Sequence, residues 1–550
     1  MKNPTIQNEN EEDPPEYEIN TPRKTSTLLT EGEETEGPGN IFAFKNIGLI
    51  IVPAIASSLT TILMSMYYQF FIMYLGESGN FQSIYFGFFA IAQLFVVFFA
   101  ILSDSVPILG RRRKPYQIGA WILFILTLTT LVSIPLPKPR NIFNATANKS
   151  CKVLYQVDRL QQPVFRSQSK YVDYGIMYLA LICGCVVFLN AVNATANGLV
   201  VEWSRKTSFK NRGKVQTYIV VLICIFNGFN NALLGFGLNW YKYAGEWCHG
   251  LVMTDIFAAL LVLGIIGFFA TVFTTSEDRK SSEIRIISFL ESFWRILKLT
   301  SLQKILIFIF FASGFQFVSS PADNMIIEYW VKMESVTKTA ASVIAEIASA
   351  LLIGLFSSFI VNTNWRILVM SSQGVFTAIN FTLTNLAIFN IFRNQYLYSP
   401  DDVFKELNIS VYMIFLLIFA VEYTEENFEA SFYSILTLML NTGMAVFNNL
   451  AVFIASPFKV SEATRYTQDT RKDQWYVGIQ CFLFNLINCV GLFCVIWLMP
   501  KSKAQCQSMK AKSSKSPDSA AILIILTAII IIGNIILTME MPNIMKDWLS

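Results

Sequence analysis

The chain has 550 residues, of which 53% are apolar, 14% aromatic and only 15% charged, with 47 Phe and a net charge of +4. A soluble enzyme carries roughly 25% charged residues, and the apolar residues here fall in blocks of about 18 or more, the pattern of helices solvated by lipid. Transmembrane β-barrels are excluded because they alternate apolar and polar residues in segments of about 10. The charge is too small to argue for nucleic acid. A single histidine, His249, rules out histidine metal clusters and most Ser-His-Asp arrangements, and the chain has no Walker sequence, dinucleotide fingerprint or Cys-x-x-Cys pair. No enzymatic activity, cofactor or metal is expected.

Residues 1–45 are rich in Glu, Pro, Thr and Asn and read as a disordered cytoplasmic tail without a cleavable signal. Apolar spans follow near 47–75, 81–103, 115–135, 173–201, 215–238 and 251–274, then 304–329, 340–361, 366–392, 409–427, 431–455 and 477–499, with a further one at 520–538. The chain is therefore expected to be an all-α polytopic protein. An N-terminal six-helix half (46–274) and a C-terminal one (304–499) are joined by a cytoplasmic linker at 275–303. The linker's Ile284, Ile287, Leu290, Phe293, Ile296 and Leu297 fit either an amphipathic surface helix or a solvated segment. A basic cytoplasmic loop at 500–519 precedes an extra transmembrane helix and short outer tail at 520–550.

Basic blocks at 111–114, 205–214 and 501–515 fall on one side of these spans, which the positive-inside rule makes the cytoplasm. The loop at 136–172 then faces outward or into a lumen of a plasma or organellar membrane. It carries the glycosylation sequons at Asn144 and Asn148, and Asn408 is expected on the same side; Asn193-Ala-Thr lies inside a span and should stay unmodified. Cys151 and Cys248 are the two outer cysteines and disulfide candidates, whereas six others lie inside spans as packing residues.

Between the second and third spans the chain reads Ser-Asp-Ser-Val-Pro-Ile-Leu-Gly-Arg-Arg-Arg-Lys-Pro-Tyr over 103–116, and the fourth span ends Asn-Gly-Leu-Val-Val-Glu-Trp-Ser-Arg over 197–205. The first stretch resembles the signature loop of the major facilitator superfamily, in the form found in its folate-biopterin transporter family, and the second resembles that family's Asp-Ala-x-Val-Val-Glu-x-x-Arg. The resemblance implies a 6+6 bundle that moves a folate- or pteridine-like solute. It makes Asp104, Pro107, Gly110, Arg112, Arg113 and Arg205 gating residues, with Asp104 latching the two halves on the cytoplasmic side. The pattern is broken at Asn197, Gly198 and Arg111. An internal echo accompanies it: Glu202-Trp203 and Glu422-Tyr423 end the fourth and tenth spans, and Asn pairs at 230–231 and 448–449 follow in the next spans.

No Lys or Arg falls inside the spans as drawn, but acids do, and an unpaired carboxylate there costs roughly 3 kcal/mol. This suits a proton as co-substrate and suits a carboxylate-bearing solute less well. The expected substrate or proton pathway comprises Asn190, Asn193, Asn197, Glu202, Asn230, Gln316, Ser320, Asp323, Glu422 and Asn448, with Pro321 interrupting the seventh span. Three functions remain open: proton-coupled secondary transport of a small pteridine-like solute by alternating access, major-facilitator transport of a sugar, nucleoside or other small polar solute, or a non-transporting receptor or assembly subunit. The lipid bilayer is the expected environment. Oligomeric state is left open.

Overall fold

The computed structural model describes residues 39–75, 81–137, 172–209, 211–240, 243, 247, 249–279, 286–458 and 463–549. The sequons at Asn144 and Asn148, the cysteines Cys151 and Cys248, and most of the 1–45 segment lie outside the described residues. The protein is an integral, multi-pass membrane protein: twelve described helices are long and apolar enough to cross a bilayer, and Thr300–Gln316 is a shorter apolar helix.

In chain order the N-terminal half comprises α1 (Gly48–Ser65, continued as a π-helical turn over Tyr67–Tyr74), α2 (Phe81–Ser105), α3 (Lys114–Ser133), α4 (Val172–Arg205), α5 (Lys214–Gly237) and α6 (Met253–Thr274). A short α7 (Ile286–Leu297) leads to α8 (Thr300–Phe317), α9 (Ser335–Asn362), α10 (Trp365–Ile388), α11 (Pro400–Tyr423) and α12 (Glu429–Ala455). Then come α13 (Ala463–Gln468), α14 (Arg471–Leu498), α15 (Lys503–Ala511) and α16 (Pro517–Leu549). The two halves repeat one packing scheme. In the first, α1 packs on α5 and α6, α4 on α2 and α3, and α3 on α6; in the second, α8 packs on α12 and α14, α11 on α9 and α10, and α10 on α14. The seam between halves is made by α5 against α9 and α2 against α12, with α4 also touching α12.

Local chemistry sets the breaks. α8 stops at Phe317 because Pro321 has no N–H to continue the ladder, and the Ser320 hydroxyl accepts from the Ala322 N–H (3.1 Å) before the chain resumes as Ala322–Met325 and a π-helical turn over Ile326–Val331. The tenth span starts earlier than the expected 409: Pro400 occupies the first turn of α11 with Asp401 and Asp402 beside the positive helix terminus. The apolar run is thus only the inner part of the helix. This corrects two expectations. Lys405 lies within a span, and Asn408 is no outer glycosylation acceptor, being 2% exposed inside α11 with its amide donating to Gln373 Oε1 (2.6 Å).

The linker contains a helix, α7, with two apolar faces. Phe289 and Phe293 stack on Phe428 at ring separations of 4.7 and 5.9 Å, while Ile287 and Leu290 remain exposed. The extra helix α16 packs on α2 and α12, across the seam. Its Asn534 and Thr538 accept from the Asn449 amide at 2.8 and 3.0 Å. A polar clamp between helices in lipid contributes about 1 kcal/mol. Asn449→Ala should therefore lower the melting temperature of the purified protein by about one degree, as read by differential scanning fluorimetry, whereas the same change at the exposed Asn448 should leave it unchanged.

Candidate functional site

Two clusters stand out, one binding the halves together at the end of the bundle that carries the basic loops and one between the halves farther along. The first is built around the N-terminus of α3. The loop after α2 turns at Leu109 and Gly110, both with left-handed backbone (φ 55° and 73°), so that Ile108 and Arg111 bond to each other through their backbones. The backbone N–H groups of Arg112, Arg113 and Lys114 then converge on the Glu277 carboxylate at 2.9, 2.9 and 2.7 Å. An anion at this helix start satisfies donors that have no partner within the helix. Lys114 returns the contact by capping the end of α6 through the Val272 and Thr275 carbonyls, both at 2.8 Å.

This brace aims Arg113 into the protein, where it is 1% exposed. Its guanidinium bonds Asp104 of α2 (3.2 Å), Glu202 of α4 and Glu429 of α12 (2.6 Å). Burial works against the charge on Arg113, but Glu429, Asp104 and Glu202 outweigh it and hold its pKa above the ordinary arginine value. Asp104 also reaches the other half, accepting from the Ser431 N–H (2.8 Å) and hydroxyl (2.9 Å) at the start of α12. Arg205 pairs with the second Glu429 oxygen at 3.4 Å, and Arg112 donates to Asn427. Asp104, Arg112, Arg113, Glu202 and Arg205 are therefore brought together, whereas Pro107 only shapes the loop beside them.

Close approach of α4 to α12 makes this possible. A Cβ on Gly198 would meet the Ala430 Cβ at 2.7 Å and Arg113 Nε at 3.0 Å, so the glycine that departs from the expected motif is the one that lets the helices touch. A second set of contacts closes the same face: Glu422 at the end of α11 lies 3.7 Å from Arg212 and accepts from Gln507 of α15 at 3.2 Å. Lys503 of α15 donates to the Phe209 carbonyl of the other half (3.1 Å), and Lys510 to that of Tyr423 (2.8 Å). Glu202 and Glu422 thus occupy equivalent helix ends, each beside an arginine. The Asn echo does not extend as far, because Asn230 bonds Ser58 of α1 (2.6 Å) while Asn449 is taken by α16.

Several residues expected to line a pathway make hydrogen bonds within the bundle. The Asn190 amide donates to the Ala92 carbonyl (3.0 Å), that of Asn197 to its own helix at Asn193 (2.9 Å), and that of Gln316 to the Asn408 carbonyl (3.4 Å). The Ser320 hydroxyl donates to Gln480 (2.7 Å), and Asn448 is exposed on α12. Asn193 and Asp323 are half-buried. Asn193 accepts from the Ser57 hydroxyl (3.0 Å), the first member of a stripe on α1 continued by the exposed Thr61, Ser65 and Tyr68. Because 72% of the apolar window of α1 is buried, an exposed hydroxyl stripe there faces a water-filled interior and not lipid.

Opposite it, the broken eighth helix and α11 present Asp323, Asn324, Glu328, Asp402, Lys405 and Glu406, with Glu328 close enough for its charge to act on Tyr68. Lys405 lies among Asp323, Asp401, Asp402 and Glu406, and Asp401 is held by the Asn380 amide at 3.1 and 3.2 Å. Deeper, Glu346 of α9 is 5% exposed, beside Glu406, Cys224 and Asn227. One Glu346 oxygen and the Asn227 side-chain oxygen are both buried without a hydrogen-bond donor. The Arg113 brace and the Lys405–Glu406 pair escaped the sequence reading for different reasons. Glu277 and Glu429 join the former only through tertiary contact, but the Pro400-Asp-Asp helix start was a local signal for the latter.

The repeat of one six-helix packing scheme, with seams of α5 on α9 and α2 on α12, decides the fold. It is that of the major facilitator superfamily. A solved structure of the proton:xylose symporter XylE of that superfamily, bound to 6-bromo-6-deoxy-D-glucose, is similar over 84% of this chain and 98% of that one, with a TM-score of 0.53 at 11% identity. A bacterial homologue of the iron transporter ferroportin in an outward-facing state aligns over 81% of this chain and 98% of its own at 11% identity, and its TM-score of 0.46 is too low to argue from. No protein-family model and no curated protein matches the sequence, so the folate-biopterin resemblance rests on the 103–116 and 197–205 stretches alone.

Two outcomes follow from the cytoplasmic cluster. Gly198→Ala should cost the closed arrangement roughly 1–3 kcal/mol through overpacking; a cysteine placed at Ala194, fully buried between the halves, should then gain maleimide reactivity from the cytoplasmic side. Burial pushes the Lys503 ammonium down to about 8 against the pull of Glu422. Undocked, the same lysine keeps its proton to about pH 10.4, so it binds more protons than the docked one between these values, and docking of α15 strengthens as pH rises through that window. Hydrogen exchange of the α15 amides, corrected for intrinsic rates, should slow correspondingly, and Lys503→Met should reduce the pH dependence to the part contributed by Lys510, whose ammonium burial also disfavours.

Proposed function

We propose that the protein is a secondary transporter that moves a small polar solute by alternating access, with the described arrangement closed on the cytoplasmic side. The observation that carries the reading is the Arg113 cluster. It joins α2, α3 and α4 of one half to α12 of the other at one end, while a hydroxyl stripe and an acidic face confront each other farther out. A buried arginine shared by three carboxylates is strongly held when complete and costly when any partner leaves, about 3–5 kcal/mol for a broken buried pair. Such a cluster favours two discrete states over a continuum. Asp104, Arg112, Arg113 and Arg205 act as the latch, and Gly110 sets the turn that delivers them.

Proton coupling is assigned to Glu346 and Glu406 in preference to Glu202, whose carboxylate is already committed to Arg113. Two buried acceptors without donors, next to a second carboxylate, lack a positively charged or donating partner; a proton supplies it at least structural cost. Asp323 neighbours Lys405 and is a secondary candidate. For the solute, a pteridine-like ring could stack on Tyr68, and Lys405 offers a cation to a carboxylate. The hydroxyls of Ser57, Thr61 and Ser65 favour a second reading, a neutral hydroxylated solute such as a sugar or nucleoside.

Reconstitution in proteoliposomes with a panel of labelled pterins, sugars and nucleosides tests both parts. Transport should be saturable for one class. Glu346→Gln and Glu406→Gln should abolish accumulation driven by a pH gradient, by more than 10-fold, while leaving counterflow exchange within a few-fold. Retained accumulation in both variants would remove these acids from the coupling role.

A further inference from the structure

Outside the space between the halves, the C-terminal half holds a separate cavity of about 790 Å³ on its outer face. It lies where three helical segments end: the π-helical turn at Val331, α10 at Ile388 and α13 at Gln468. Its floor is firmly built. Arg393 donates to the Ala387 (2.7 Å) and Ile388 (3.2 Å) carbonyls and grips Asp469 with both terminal nitrogens, one at 2.9 Å. These bonds hold the Asp469 carboxyl below its usual pKa range. The guanidinium also lies 4.8 Å above the Trp330 ring, whose indole N–H donates to the Tyr466 carbonyl at 3.2 Å. Above this floor stand Tyr329, stacked on Tyr466, and Tyr396, which is 70% exposed.

The rim carries a more telling feature. Each of the three segments ends in a residue with left-handed backbone, at Lys332 (φ 54°), Asn390 (φ 54°) and Asp469 (φ 47°). Glycine is the least costly residue at such a helix end because it has no Cβ to clash, asparagine and aspartate are tolerated, and lysine is a poor choice there. The Asp469 side chain repays the strain by fixing Arg393. Those of Lys332 and Asn390 make no hydrogen bond within the protein among the described residues, and both face the cavity. Strained residues retained around one cavity, with side chains idle in the free protein, are the pattern of a ligand clamp.

We propose that this cavity binds a small ring-bearing organic carboxylate. Lys332 meets the carboxylate, Asn390 and Asn394 bond polar groups on the ring, and Tyr329 and Tyr396 pack against its face. With Arg393 and Asp469 neutralising one another, Lys332 leaves the lining with one net positive charge. The site is independent of the transport reading, since binding there needs neither flux nor the space between the halves.

Equilibrium dialysis on the purified full-length protein in lipid nanodiscs tests the proposal, with benzoate and glucuronate as probes and glucose as the neutral comparator. At least one of the carboxylates should bind saturably and at least 10-fold more tightly than glucose. Lys332→Gly and Asn390→Gly should each weaken that binding at least 10-fold while leaving the melting temperature unchanged or higher, because glycine relieves the backbone strain. A merely structural role would lower both together. Tyr396→Ala, at an exposed position, should also weaken binding, whereas Glu406→Gln should not alter it. Absence of saturable binding by both carboxylates, equal affinity for glucose, or unchanged binding in the two glycine variants would overturn the proposal.

Discussion

A single buried guanidinium, that of Arg113, cannot be moved without undoing contacts on both sides of the molecule. Three carboxylates from α2, α4 and α12 neutralise it, and Glu277 fixes its backbone by capping α3. Desolvating an arginine is worthwhile only if every partner stays in place. Among the described residues this ties the loop after α2, the end of α4, the start of α12 and the linker after α6 into one unit at the end of the bundle that carries the basic loops. The tight α4–α12 approach at Gly198 belongs to the same constraint, because a side chain there would push Ala430 and Arg113 apart.

The rest of the interior complements this closure. Polar residues deep in the bundle divide into those that hold helices together, such as Asn190 and Asn230, and those left facing water or each other, such as Tyr68, Glu328, Lys405 and Glu406. Helix-to-helix amide bonds stiffen each half so that it can move as a body. Glu346, one oxygen of which lacks a donor, sits beside Glu406 at the α5–α9–α11 seam, where a change of charge would bear directly on how the halves pack. α15 and α16 add restraints of their own, the former across the cytoplasmic face through Lys503 and the latter along the α2–α12 seam in lipid.

Much of this was legible in the sequence. Apolar runs located nearly all the spans, and the 103–116 loop singled out Asp104, Arg112 and Arg113, because an acid, a glycine turn and a basic cluster at a cytoplasmic helix end have few other uses. Partner residues were not legible. Glu429 and Glu277 lie hundreds of positions from Asp104 or in a linker, and no local pattern marks an acid as destined for a distant arginine. Hydropathy also misplaced the start of α11, since its first two turns face a polar interior and carry Asp401, Asp402, Lys405 and Glu406 where a lipid-facing helix would carry leucine. Polarity inside a span, read from sequence, identified Asn190 and Asp323 alike; only packing separates an amide bonded to a neighbouring carbonyl from a carboxylate set among other charges.

Spin-label distances across the cytoplasmic face test the central role of Arg113 most directly. Labels at Ser208→Cys and Glu426→Cys lie on exposed positions of opposite halves. In the parent protein, reconstituted in nanodiscs, their separation should be a narrow, short distribution. Arg113→Met, which keeps an unbranched side chain but removes the charge, should shift a substantial population to longer distances. A distribution in that variant indistinguishable from the parent's, with the protein folded by its melting profile, would mean that the halves are held together by something other than this cluster.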